Sequence, residues 1–153
     1  DGDAVHVIVS LSTGGGFVPH LLTAQNESLT SWSAPVPMAG LGADRIDTTV
    51  VKVGSEYHAF TKNETKKTIE HLASPTLVGP YRPLPPGDWG ALREGPAVVQ
   101  LPDGAWRLYL DAYTEGRYLY SDSGDGLRTW TEPRELPGVS GTVRHIGVLR
   151  EPA

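Results

Sequence analysis

Trp32, Tyr81 and Trp130 stand 49 residues apart along the chain, and Tyr57 and Trp106, each opening an aromatic-rich segment, are separated by the same interval. A fixed period constrains the fold more than any other feature here, because one supersecondary unit must be built about three times over. Aligned on it, Ser-Leu-Thr-Ser-Trp-Ser-Ala-Pro (28 to 35), Thr-Leu-Val-Gly-Pro-Tyr-Arg-Pro (76 to 83) and Gly-Leu-Arg-Thr-Trp-Thr-Glu-Pro (126 to 133) take one structural position. Each unit closes on a turn, an aromatic and a proline.

What lies inside the unit is β-rich. The 18 Gly and 13 Pro are spread between short apolar runs, which means many turns and short strands. Strands are expected at Val5 to Leu11, Phe17 to Thr23, Asp47 to Val53, Tyr57 to Thr61, Thr68 to Ala73, Pro96 to Leu101, Trp106 to Asp111, Arg117 to Ser121 and His145 to Leu149. A helix over Asn63 to Ser74 is the rival, since Ile69, Leu72 and Ala73 have helical spacing, but the repeat argues against it. A period of roughly 40 to 50 residues with about four strands per unit is the signature of a β-propeller blade, whereas a sandwich has no such self-similarity. The expected fold is all-β, a partial β-propeller of about three four-stranded blades in one domain, 1–153.

Composition removes several functional classes. With 39% hydrophobic and 20% charged residues the chain is too apolar for disorder. Net charge is -5 and the basic residues are scattered apart from Lys66-Lys67, so no nucleic-acid partner is expected. The absence of cysteine excludes thiol catalysis and Cys-based zinc sites. No apolar run is long enough for a membrane helix, and no membrane partner is expected. His6, His20, His58 and His71 show no ligand spacing, and Gly14-Gly15-Gly16 lacks the Lys and Ser/Thr of a phosphate loop.

In a propeller the innermost strand of each blade begins near the central channel, so functional side chains recur at one position per repeat. The strand before Tyr57 starts at Ile46-Asp47-Thr48, the strand before Trp106 at Glu94-Gly95-Pro96, and the last apolar run at Arg144-His145-Ile146. Asp47, Glu94 and His145 therefore fall at one channel mouth, and convergent titratable groups are what an acid/base site requires. Two carboxyls in different environments can divide the roles of general acid and carboxylate, the chemistry of glycoside cleavage. Trp89, in the Gly/Pro-rich loop Pro86-Gly87-Asp88-Trp89-Gly90 leading to Glu94, lies off the repeat and is the expected sugar-stacking residue at the edge of the ligand site.

These residues resemble the five-bladed propeller glycoside hydrolases of family 43, the arabinofuranosidases, xylosidases and arabinanases. The resemblance rests on Ile46-Asp47 before an apolar strand and Tyr57, on Glu94-Gly95-Pro96 before Trp106-Arg107-Leu108-Tyr109, and on Arg144-His145-Ile146-Gly147. It implies that Glu94 is the general acid and that Asp47 orients that acid and raises its pKa, keeping it protonated near neutral pH. It further implies that Arg144 and His145 bind substrate, and that His145 lines the channel near a water or a bound ion such as a structural calcium; no cofactor is required. The ligand implied is an arabino- or xylo-oligosaccharide, the mechanism inverting, the location extracellular. Separately, Ser123, Asp125, Thr129 and Trp130 resemble the Asp-box turn of sialidase propellers, with Leu127 where that motif has Gly, and a purely structural turn is expected there.

The family's catalytic base, an Asp opening its first blade, has no counterpart. Asp1 and Asp3 precede Val5 to Ser10, which aligns with the second strand of a blade rather than the innermost one. The strands add up to the outer three of one blade, two whole blades and a lone innermost strand, His145 to Leu149, about three blades where the family has five. The isolated chain is thus expected to be weak or inactive as a glycosidase, and to be a homo-oligomer or part of a longer chain, with a second copy completing the open blades. The alternative is a non-catalytic carbohydrate-binding module or a structural fragment of that fold.

Overall fold

The computed structural model describes residues 4–12, 14–141 and 143–150; Asp1 and Asp3 lie outside them. Among the described residues there is no helix. Eleven strands follow in chain order: β1 (His6–Ser12), β2 (Phe17–Thr23), β3 (Val36–Pro37), β4 (Arg45–Val53), β5 (Glu56–Asn63), β6 (Thr68–Ser74), β7 (Arg82–Leu84), β8 (Glu94–Gln100), β9 (Trp106–Ala112), β10 (Arg117–Ser123) and β11 (Arg134–Glu135). They form three antiparallel sheets, β1-β2-β3, β4-β5-β6-β7 and β8-β9-β10-β11, each with its strands in sequence order. The rival helix over Asn63 to Ser74 is absent; β6 occupies that stretch, in register with β5 from Tyr57↔Ser74 to Asn63↔Thr68.

Strand alternation explains how the sheets stack. Along β5, Tyr57 and Ala59 face one way and join Leu21, Met38, Leu41, Leu72 and Tyr81 in a core between the first and second sheets. Phe60 faces the other way and joins Ile69, Trp89, Val98, Leu108, Leu110 and Leu119 between the second and third. A strand buried on both faces has apolar residues at odd and even positions alike, which is why β5 is almost uniformly buried. The sheets are consecutive propeller blades, and the 49-residue period is the interval between equivalent packing positions.

Two details place the candidate site residues. The β4/β5 ladder shifts register between Ile46 and Thr49, and the β8/β9 ladder between Glu94 and Ala97. At both bulges one residue is left-handed, Asp47 at φ 52° and Gly95 at φ 55°, and His145 at φ 49° repeats the conformation after the third sheet. The expected strand His145 to Leu149 is not formed. The segment after Arg144 belongs to no sheet, and the Ile146 amide donates to the Tyr118 hydroxyl at 3.0 Å. Its alternating apolar residues satisfy the local pattern, but a strand also needs a neighbour to pair with.

The turn after β10 is closed by Asp125. Asp125 Oδ1 accepts from the amides of Arg128 (3.1 Å) and Thr129 (3.0 Å), while Thr129 Oγ1 donates to Oδ2 at 2.7 Å. These donors hold the Asp125 carboxyl down at about 2. Leu127 adopts the φ of 71° that a glycine would take, and its buried side chain joins the core.

Candidate functional site

The inner ends of β4 and β8 and the segment after the third sheet bring Asp47, Glu94 and His145 together, with one ligating atom of each within 4.8 Å of the others. The convergence expected from the repeat is present, but its register is different. Asp47, Gly95 and His145 are the equivalent positions, since all three carry the left-handed kink. Glu94 is equivalent to Ile46 and Arg144, one residue earlier.

The kinks interlock. The Gly95 amide donates to Asp47 Oδ2 at 3.1 Å across the seam between the second and third blades. A Cβ on Gly95 would lie 3.2 Å from His145 Nδ1 and 3.3 Å from its Cγ, so the imidazole packed against it, together with the left-handed φ, favours glycine there. His145 Nε2 lies 3.0 Å from Glu94 Oε1, and its Nδ1 lies 3.9 Å from Asp47 Oδ2.

Glu94 is buried and surrounded by cations. Lys62 Nζ, from β5, lies 2.8 Å from Oε2, and Arg144 Nη2 is ion-paired with Oε1. Lys62 also lies 2.8 Å from Glu64 Oε2, and Arg144 Nε donates to Asp111 Oδ2 at 2.5 Å. The Tyr113 ring, in the β9–β10 turn, stands beside both cations, 5.0 Å from Lys62 Nζ and 5.8 Å from Arg144 Cζ.

This arrangement corrects the expected charge state of Glu94. Burial pushes the carboxyl upward, but the hydrogen bonds and charges of Lys62 and His145 outweigh it and hold Glu94 below the usual carboxylate range. Repulsion from Asp47 does not govern it, because the Asp47 carboxylate is turned toward the Gly95 amide and the imidazole. Glu94 is ionised near neutral pH.

Trp89 is a second correction. It is 2% exposed and sits in the core between the second and third blades, its ring 6.1 Å from Phe60 and 5.4 Å from Trp130. The Pro86 to Gly90 loop folds its one large apolar side chain inward, since exposing an indole to water is costly, and Trp89 offers no face to a sugar. Arg144, with a side chain 55% exposed, and His145 stay at the mouth, where the sequence places them.

Lys62, Glu64, Asp111 and Tyr113 were not foreseen. The signal for two of them was present: Lys62 and Asp111 are 49 residues apart, on the second strand of consecutive blades, and each meets the residue that follows one blade later.

An ion on the Asp47, Glu94 and His145 cluster does not fit these residues. Calcium takes six to eight oxygen ligands, whereas this set contains one nitrogen, and both Glu94 oxygens are already engaged by Lys62, Arg144 and His145.

No protein-family model and no curated protein sequence matches the chain. Solved structures do. An α-L-arabinofuranosidase from Clostridium thermocellum superposes with a TM-score of 0.67 at 13% identity, over 89% of this chain and 53% of that one. A GH43_1 enzyme from Xanthomonas citri complexed with xylose gives 0.63 at 13% identity, over 89% and 52%. A sialidase from Streptococcus pneumoniae gives 0.51 at 22% identity, over 81% and 20%. The chain spans about half the length of the first two glycosidases. Three successive blades, the second and third kinked alike at the start of their innermost strands, have the fold of part of a family 43 glycoside hydrolase propeller.

Proposed function

We propose that the chain carries the acid side of a glycosidase site for arabinose- or xylose-containing glycans. The observation that carries this reading is Glu94 at the inner end of β8, buried, with Asp47 clamped to the next backbone amide and Arg144 and His145 at the mouth. The xylose complex and the arabinofuranosidase among the structural neighbours support the pentose class.

In this reaction Glu94, having taken a proton from solvent, passes it to the glycosidic oxygen as the bond from that oxygen to the anomeric carbon breaks. Water attacks the opposite face and surrenders its proton to a base roughly 6.5 to 9.5 Å from the acid. Asp47 positions Glu94 by fixing the bulge beneath it. The base is assigned to blades beyond these three, supplied by a longer chain or a second copy. Exposed apolar side chains on the face of the first blade turned away from the second, Val7 and Leu11, support a neighbouring blade there.

The test is turnover of xylo- and arabino-oligosaccharides and of activated aryl pentosides by an assembled sample. Glu94→Gln removes most activity on the oligosaccharides and much less on the aryl substrates, which need little protonation; equal losses on both overturn the assignment. A second reading, sugar binding without turnover, is favoured by the cations that keep Glu94 ionised. Saturable oligosaccharide binding with no product establishes it, and a flat titration refutes both.

A further inference from the structure

We propose that Lys62 is the positioning residue that controls the charge on Glu94, and that Glu64 is the partner that retains the Lys62 ammonium when Glu94 takes a proton. The proposal rests on the reading of Glu94 as a proton donor. Its geometry is independent of substrate.

A buried carboxylate held by a buried ammonium takes up a proton reluctantly, since protonating it leaves the cation unpaired in a medium that solvates it badly. Lys62, with a side chain 4% exposed, has nowhere to find water. It does have a second carboxylate: Glu64 Oε2 stands 2.8 Å from Nζ, as close as Glu94 Oε2. Loss of the Glu94 charge therefore leaves Lys62 still paired, and the donor can be loaded without unfolding the seam. Glu64 is suited to this because it lies in the turn after β5, tethered by Lys67 through its other oxygen.

The other groups around Glu94 do not offer the same exchange. Arg144 is shared with Asp111, but its half-exposed guanidinium is hydrated and needs no alternative partner. His145 reaches Glu94 and Asp47 from the mouth, Asp47 is held by the Gly95 amide, and Tyr113 contributes only a ring beside the cations.

The experiment is a pH titration of the Glu94 side-chain carboxyl by carbon-13 NMR in the full chain without sugar, the signal assigned by its loss in Glu94→Gln. A nearby cation lowers a carboxyl by about 1 to 3 pH units. Lys62→Met should raise the Glu94 midpoint by about one unit or more. Glu64→Gln should lower it by a few tenths of a unit or more, since Lys62 then has Glu94 alone. Opposite shifts from the two variants support the proposal. Midpoints unchanged in both, or moved the same way, overturn it, and if Lys62→Met does not fold, the sign of the Glu64→Gln shift decides. Because this readout needs no substrate, opposite shifts in a chain that neither binds nor cleaves sugar leave the control of Glu94 standing while the functional reading falls. Glycoside turnover without the shifts does the reverse.

Discussion

Replacing Trp89 by alanine separates a core residue from a ligand platform, and the structure fixes the size of the effect. An indole buries on the order of 200 Å², which at about 25 cal/mol per Å² corresponds to about 5 kcal/mol. Contact with Phe60 and Trp130 adds roughly 0.5 to 1.5 kcal/mol for each aromatic pair. Against this, Trp89 Nε1 has no hydrogen-bond partner, and deleting a buried unpaired donor recovers about 1 to 3 kcal/mol. The last two contributions cancel, and the balance is a loss of about 5 kcal/mol, at the upper end of the range of about 3 to 5 for Trp→Ala in cores, or a fall in Tm of roughly 10 to 20 °C for a chain of this length. Urea and thermal unfolding followed by near-UV circular dichroism measure it. Trp89→Phe, which removes the orphaned N–H while keeping most of the area, should cost less than about 2 kcal/mol. A loss below about 1 kcal/mol for the alanine variant, or reduced sugar binding at unchanged stability, would refute the core assignment.

Two further outcomes are expected. Gly95→Ala should cost about 1 to 2 kcal/mol for its left-handed φ and displace the His145 ring that packs on it, seen as lower urea stability together with a shifted His145 resonance; a neutral substitution would show that the kink relaxes freely. His71, buried, stacked on Phe60 at 4.4 Å and sharing a hydrogen bond with His58 at 3.0 Å, is pushed down to about 3 by burial and then by the neighbouring imidazole. The unfolded chain then binds the extra proton between pH 6.5 and 3, so stability is lost as pH falls through that window, by up to about 1.4 kcal/mol per pH unit. His71→Phe should flatten the profile there, and an unchanged slope would assign the acid sensitivity elsewhere. Glu94, held low, has its stabilising effect intact above the usual carboxylate range and loses it only at lower pH.

The blades were legible because each repeats the same packing with the same aromatic punctuation, and Asp47, Glu94 and His145 followed from that repeat. Residues whose meaning depends on a second blade were not. A Gly/Pro loop off the repeat gives no sign of which way its indole turns; Gly87 is so close that a Cβ there would lie 2.4 Å from Trp89 Nε1, a contact visible only once the loop has folded. Lys62 sits in a strand, where a lysine normally indicates a solvated position, and its burial comes from Glu64 and Glu94, the latter 32 positions away. The charge on Glu94 could not be read from Asp47 alone, since the deciding cations arrive from β5 and from the segment after the third blade. His145 to Leu149 has strand periodicity but no pairing partner among the described residues, and periodicity states only which face would be buried.

The bond from the Gly95 amide to Asp47 has a mechanical meaning. It joins neighbouring sheets, as does the pair of Lys62 with Glu94, so the spacing of the second and third blades is written directly into the distances at the channel. Hydrogen bonds and close ion pairs fade over a fraction of an ångström, whereas the apolar contacts further out along the same seam tolerate small sliding. The inner rim therefore works as a gauge: a slight wedging of the two blades would unfasten the carboxylates together while the outer strands remained packed, and the rim would respond to such a movement as a single unit.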